Sequence, residues 1–328
     1  MGITRLEKIL KPVSDEMRSV RSHDPNDHWF VQEMYFEERD YDQATHVLIG
    51  CPQHEGVYRN NGRIGAAEAP NKIREQLYKL QVKRDNAVKL FDAGNVITDL
   101  FDSSEITDFP DLNQNPDALE EIHNRLSTIV SEFLRDDKRV IVLGGGNDIS
   151  YADVRALAEN EREISAINID AHLDMRIAEE MTSGTPYRKL IEDHYLSPQQ
   201  FYEFGIRSES NGAYYLENAK ELGVNVHYLQ DVLDERVSPA FQHILGQIGT
   251  RPFFLGLDMD SIQASDAPGV SASSPVGFSG REVMECIHHA KQKENLRVFE
   301  ITEVNPKHDL DNRTVKLAAQ FVYGFLFD

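Results

Sequence analysis

Eight apolar runs, each short enough to be a single strand, set the fold open to this chain. They are THVLIG (45–50), VKLFDAG (88–94), RVIVLG (139–144), ISAINID (164–170), FYEFGIR (201–207), VNVHYL (224–229), PFFLGLDMD (252–260) and LRVFEITEV (296–304). Short runs rich in apolar, β-branched and aromatic residues read as strands. Between them lie helical patterns: APNKIREQLYKLQ with Pro70 near its first turn, PDALEEIHNRLSTIVSEFL, ISYADVRALAENE, SGREVMECIHHAKQ and RTVKLAAQFVYGFL. Parallel strands need crossover connections, usually helical, and strand–helix alternation supplies them. The expected architecture is a three-layer α/β/α domain over residues 45–328, built on a mainly parallel eight-stranded sheet. Residues 1–44 read as an irregular extension with one short helix, and nothing resembles a domain linker.

Composition narrows the function classes. The net charge is −21, from 55 acidic against 34 basic residues spread along the chain. A field of that sign repels phosphate backbones and argues against a nucleic-acid partner. No stretch approaches the ~18 apolar residues of a membrane span. The start, MGITRLEKILKPVSDEM, is charged throughout, with no apolar signal core and little support for myristoylation at Gly2. Cys51 and Cys286 lie far apart in sequence, make no disulfide framework and point to a cytoplasmic protein.

In open parallel sheets, chemistry gathers beyond the carboxyl ends of the strands. AINID runs into DAHLD, where Asp170, His172 and Asp174 alternate. Two carboxylates and an imidazole suit Mn2+, Zn2+ or Fe2+. FFLGLDMD ends in Asp258 and Asp260, two carboxylates on one side of a strand, whose burial is costly without a cation. These five donors suffice for two metal ions that share carboxylates and activate water for attack on an electrophilic carbon. VFEITEV ends near Glu303, either a surface cap or a carboxylate placed to hold a cationic substrate group. VIVLGGGNDIS (140–150) breaks at three glycines and presents Asn147 and Asp148. It has neither the spacing nor the lysine of a phosphate loop.

Taken in chain order, GGGND, DAHLD, LDMD and EVNP resemble the ureohydrolase family, which includes arginase, agmatinase and formimidoylglutamase. They stand where that family has Gly-Gly-x-His, Asp-Ala-His-x-Asp, Asp-x-Asp and Glu-x-Asn-Pro. EGVYRNNGRIGAAEAPNKIR, APGVSAS and RTVKLAA fit as well, so the resemblance covers residues 45–328. GVYRNNGRIGA (56–66), DAHLDMR and SGTP (183–186) are more similar to the formimidoylglutamase branch than to arginase.

The resemblance implies an arginase-like fold and a metal-dependent hydrolase of linear amidines. The implied substrate is N-formimidoyl-L-glutamate, from histidine degradation, cleaved by water to L-glutamate and formamide. The implied cofactor is Mn2+. Asp170 and Asp258 would bridge two ions, Asp174 would complete the first site, and His172 and Asp260 the second. Asp174 would also relay a proton, and Glu303 would orient the amidinium. Arg63, Arg176, Ser183 and Arg207 would bind the rest of the substrate. A homo-oligomer is implied too.

Two positions depart from the family pattern. Asn147 stands where the family has a histidine ligand. Two Mn2+ ions per chain are expected if its amide oxygen binds or Asp148 swings in, and otherwise one. Tyr187 stands where the family has a second histidine, and a phenol of pKa about 10 is a poorer proton shuttle near neutral pH. The rival readings are an agmatinase- or arginase-like hydrolase and a non-catalytic member with an impaired metal site.

Overall fold

The computed structural model describes residues 6–19, 21–22, 24–82, 89–98 and 118–327. Met1, Gly2, Val88, Pro116 and Asp117 belong to patterns read above and lie outside the described residues. The strands are β1 (Leu10–Lys11), β2 (His46–Gly50), β3 (Leu90–Val96), β4 (Arg139–Leu143), β5 (Ser165–Ile169), β6 (Phe201–Ile206), β7 (Asn225–Tyr228), β8 (Phe253–Asp258) and β9 (Leu296–Thr302). They form one sheet in the order β1-β3-β2-β4-β9-β8-β5-β6-β7. All eight expected strands are present, and the pairings among them are parallel.

The ninth strand is a correction to the eight-stranded sheet. β1 lies in the N-terminal extension and pairs antiparallel with β3, Leu10 opposite Val96 and Lys11 opposite Asn95. This covers a sheet edge that would otherwise present unpaired backbone groups. Gly94 makes the approach possible: its φ is +85°, and a Cβ there would lie 2.2 Å from the Lys11 carbonyl oxygen.

The helices are α1 (Asp15–Arg18), α2 (Glu55–Arg59), α3 (Ala69–Leu77), α4 (Ala118–Arg135), α5 (Ser150–Asn160), α6 (Pro186–Glu192), α7 (Ala213–Leu222), α8 (Leu229–Glu235), α9 (Val237–Ile248), α10 (Gly280–Lys291) and α11 (Arg313–Leu326). α3 carries Pro70 in its first turn, and α10 starts at a Ser279–Glu282 capping box. α6 to α9 were not read from the sequence. α6 and α8 are only 7 residues long, and α7 buries Ala219 alone, so neither length nor periodicity marks those three; α9 does carry a helical period, burying Val237, Ala240, Phe241, Ile244, Leu245 and Ile248. Among the described residues no helix is long and apolar enough to cross a membrane.

Alternate strand residues feed two cores. Val47, Ile49, Val140 and Val142 face the α4–α7 layer, while Leu48, Ile141, Leu143, Leu255 and Ile301 face α3 and α8–α11. Near the carboxyl ends of β5, β8 and β9 the α4–α7 face turns polar. Asn168 pairs in register with Gly256, Gly256 with Glu300, and Asp258 with Thr302. The break in the apolar pattern places the chemistry at adjacent strand ends.

Candidate metal centre

β4, β9, β8 and β5 are consecutive in the sheet, so the four motifs end side by side. Two of the strand ends turn in the same way. Asp170 Oδ1 accepts from the His172 N–H at 2.7 Å, and Asp258 Oδ1 accepts from the Asp260 N–H at 2.8 Å. Each aspartate thus bends its own chain and brings the next donor over the sheet edge. The Leu173 N–H donates to Asn211 Oδ1 at 2.9 Å, which ties the DAHLD turn to the segment after β6.

The result is two three-donor groups. Asp170, His172 and Asp260 bring ligand atoms within 4.8 Å of one another, and so do Asp170, Asp174 and Asp258. Asp170 is common to both. His172 Nδ1 lies 3.1 Å from Asp260 Oδ2. Glu303 follows β9 and belongs to neither group. Its N–H donates to the Gly145 carbonyl at 2.9 Å, its Oε1 accepts from the Asn147 N–H at 2.9 Å, and its Oε2 accepts from the Ser271 hydroxyl.

The electrostatics show what this crowding costs. Asp170, Asp258 and Asp260 are buried. Burial, and then the charges of Asp260 and Asp170, push the Asp258 carboxyl well above its ordinary range. Asp174 is raised by burial and then by Asp170. His172 is pushed up to about 12, chiefly by Asp260. Asp260 Oδ1 is buried with no hydrogen-bond partner among the described residues. Carboxylates converging with one imidazole and a spare oxygen fit a divalent cation, which would neutralise them and take up the free lone pair.

Asn147 is buried at the centre of this arrangement, but its amide oxygen points away from the two groups. Oδ1 accepts from the hydroxyls of Thr302 and Ser150, both at 3.0 Å, while Nδ2 donates to Asp174 Oδ2. Here Asn147 positions a candidate ligand and does not present its own oxygen. Asp148 has not swung in. Its Oδ2 is held by Gln53 Nε2 at 2.8 Å and by His123 Nε2 at 2.7 Å.

A cleft of about 510 Å³ opens over the two groups, lined by His172, Asp174, Asp258, Asp260, Glu303, Arg63, Arg176 and Ser183, among others. Arg176 is exposed, and among the described residues no protein acceptor meets its guanidinium. Arg63 donates from Nε and Nη2 to the carbonyls of Ser271 and Val270, at 3.0 and 2.6 Å. Ser183 Oγ accepts from Asn60 Nδ2 at 3.1 Å.

Two expectations are corrected. Arg207 is buried and off the cleft wall, donating to the carbonyls of Val276 at 2.8 Å and Asp260 at 3.4 Å. It props the Asp260 loop from behind, because these two backbone carbonyls engage its guanidinium. Tyr187 is fully buried and stacked on Phe201, ring centroids 4.5 Å apart, so it is not on the cleft wall either. Sequence reasoning missed Asn60, Asn211, Ser271, Ser150 and Thr302, none of which carries a recognisable local signal. A larger groove, about 760 Å³, lies between α10 and α11, away from the strand ends.

The arginase family model matches residues 44–327. Formimidoylglutamase of Streptococcus pyogenes is 32% identical over 293 residues, spanning 86% of this chain and 84% of that one. Among solved structures, Trypanosoma cruzi formiminoglutamase with two Mn2+ ions superimposes with a TM-score of 0.80 at 29% identity, covering 92% of this chain and 98% of that one. An asparagine-to-histidine variant of that enzyme, also with Mn2+, gives the same TM-score at 28% identity, covering 92% and 97%. The formimidoylglutamase of Bacillus subtilis gives 0.80 at 26% identity, covering 96% and 95%.

Proposed function

The chain belongs to the arginase family, and we propose that it hydrolyses N-formimidoyl-L-glutamate to L-glutamate and formamide. It is a metal-dependent hydrolase of C–N bonds in linear amidines. The observation that carries the substrate assignment is the polarity of the cleft. Its floor holds carboxylates, with Glu303 outside both metal groups, and its rim holds the guanidinium of Arg176, which has no protein acceptor among the described residues, with Arg63 and Ser183. That arrangement matches a substrate with a cationic amidinium head and a dicarboxylate tail.

In this reading Asp170, Asp174 and Asp258 would hold one Mn2+ ion and Asp170, His172 and Asp260 the other. Bound there, the ions supply Lewis acidity that makes water nucleophilic near neutral pH. Glu303 receives the amidinium through its remaining lone pairs. Burial pushes its carboxyl up to about 7, and an arriving cation favours the ionised form. Water adds to the amidine carbon and gives a proton to Asp174; the bond from that carbon to the glutamate nitrogen then breaks as Asp174 passes the proton to the nitrogen, and the remaining hydroxyl proton is released to the amine as the formamide carbonyl forms. Arg176, Arg63 and Ser183 bind the carboxylates and keep the amidine carbon over the metal groups.

The test is an assay of formimidoylglutamate, arginine and agmatine with added Mn2+. Turnover of formimidoylglutamate alone is expected, and no turnover of any of them sinks the proposal. The orientation of Asn147 favours a second reading, a member with an impaired metal site and no activity; two tightly bound metals per chain would rule it out. A cytoplasmic setting goes with the proposal, supported by the free, buried Cys51 and Cys286.

A further inference from the structure

The Gly145–Asp148 turn grips in two directions. Toward the cleft, Asn147 holds Glu303 through its backbone N–H and Asp174 through its side-chain amide. Both partners need holding. Asp174 has φ +46° and Glu303 φ +62°, left-handed backbone that costs non-glycine residues about 1–2 kcal/mol each unless the surroundings enforce it.

Toward the interior, the turn is clamped by Asp148. That side chain is fully buried and faces Gln53 and His123, whose Nε2 atoms lie 2.8 and 2.7 Å from Oδ2. Gln53 follows β2 and His123 lies in α4, so the clamp joins two elements to the loop after β4. Gln53 adds a backbone contact, its carbonyl accepting from the Gly146 N–H at 3.3 Å. The fit explains the glycines: a Cβ at position 145 would lie 1.6 Å from that carbonyl oxygen.

His123 stands outside the cleft. It lines a separate cavity of about 420 Å³ with Tyr151, Arg155 and Asp193, so it touches neither substrate nor metal ligands. We propose that His123 is a positioning residue: acting through Asp148, it fixes the Gly145–Asp148 turn so that Asn147 keeps Asp174 and Glu303 in register for metal and amidinium. The clamp also decides which of two adjacent residues faces the metal groups, since it keeps the Asp148 carboxylate out. This inference rests on the metal-dependent reading above.

The test is calorimetric titration of the full chain with Mn2+, for the natural protein, His123→Leu and His123→Gln. Glutamine can place an N–H near the position of Nε2; leucine cannot. Removing a partner that orients a metal ligand typically costs 10–100-fold in affinity, so in the leucine variant one binding step weakens about tenfold or more while the other moves less than about twofold. The glutamine variant recovers most of that loss. Unchanged affinity in both steps overturns the proposal, as does an equal loss in both variants, which would assign His123 to filling space. Should the leucine variant fail to fold, Gln53→Met removes the other arm of the clamp, and the same selective loss is expected. A natural protein that binds no Mn2+ would instead sink the metal-dependent reading, and the positioning role with it.

Discussion

The backbone N–H of Asn147 donates to Glu303 Oε1 at 2.9 Å, across 156 residues of chain. The same residue gives its side-chain amide to Asp174. One asparagine therefore links the carboxylate assigned to the substrate with one assigned to the metal.

Replacing Asn147 by histidine puts an imidazole beside Asp174, in reach of the Asp170–Asp174–Asp258 group. Imidazole is a better donor than an amide to borderline divalent ions. Asn147→His is expected to strengthen one Mn2+ binding step by about tenfold, or about 1.4 kcal/mol. Calorimetric titration or metal content after dialysis measures it. Unchanged affinity would show that position 147 does not reach the ion.

Glu303→Gln separates substrate binding from metal binding. Glu303 lies in neither donor group, so metal content should not change. Losing a charge-assisted hydrogen bond of about 1.5–3 kcal/mol should lower kcat/KM by roughly one to two powers of ten. Loss of bound metal in this variant would contradict the assignment.

Arg176→Met removes a guanidinium that meets no protein acceptor among the described residues, at an exposed position on the cleft. KM for formimidoylglutamate is expected to rise about tenfold or more with a smaller change in kcat, because the carboxylate contact is made in ground and transition states alike. Thermal stability should hold within about 0.5 kcal/mol, as for most surface substitutions. Steady-state kinetics with formimidoylglutamate decide it; an unchanged KM would move carboxylate recognition elsewhere on the rim.

The pH dependence of the metal-free protein has a definite sign. Burial pushes Glu300 and Glu303 up to about 7 from an ordinary value of 4.5. Across that window the folded chain binds protons that the unfolded chain has lost, so stability falls as pH rises. His172, raised to about 12, continues the same slope above its ordinary 6.5, its contribution being complete only below that value. In EDTA the protein should therefore melt higher at about pH 5.5 than at about pH 7.5. Excess Mn2+ should flatten or reverse the slope, since metal binds the deprotonated carboxylates and competes with protons. Melting curves with one slope in both conditions would count against a metal centre at these residues.

Much of this was legible in the sequence, for reasons that differ by element. The eight strands are short apolar runs, a pattern written in neighbouring residues. The DAHLD and LDMD turns are local too, since each first aspartate accepts from the backbone two residues on. α7 escaped notice because it buries one residue, and β1 because two residues carry no period.

Side-chain direction was not legible. Arg207 closes a strand in the same way as the motif residues, yet it turns behind Asp260 because the Val276 carbonyl is there to meet it. Tyr187 stands where the family resemblance implies a proton-shuttling histidine and is instead stacked in the core on Phe201. Neither partner is near in sequence.

The sequence by itself determined the parallel sheet, the strand ends that carry chemistry and the residue types able to hold a metal, because each depends on spacings of a few residues. Tertiary structure alone decided what Asn147 does. Its amide could turn either edge toward Asp174; the nitrogen is turned there because a carboxylate oxygen accepts, while the hydroxyls of Thr302 and Ser150 are free to donate to the oxygen on the other side. Thr302 arrives on a neighbouring strand and Ser150 on the helix that follows. A hydrogen bond needs its donor within about 3 Å and correctly aimed, and only the folded chain brings these groups together.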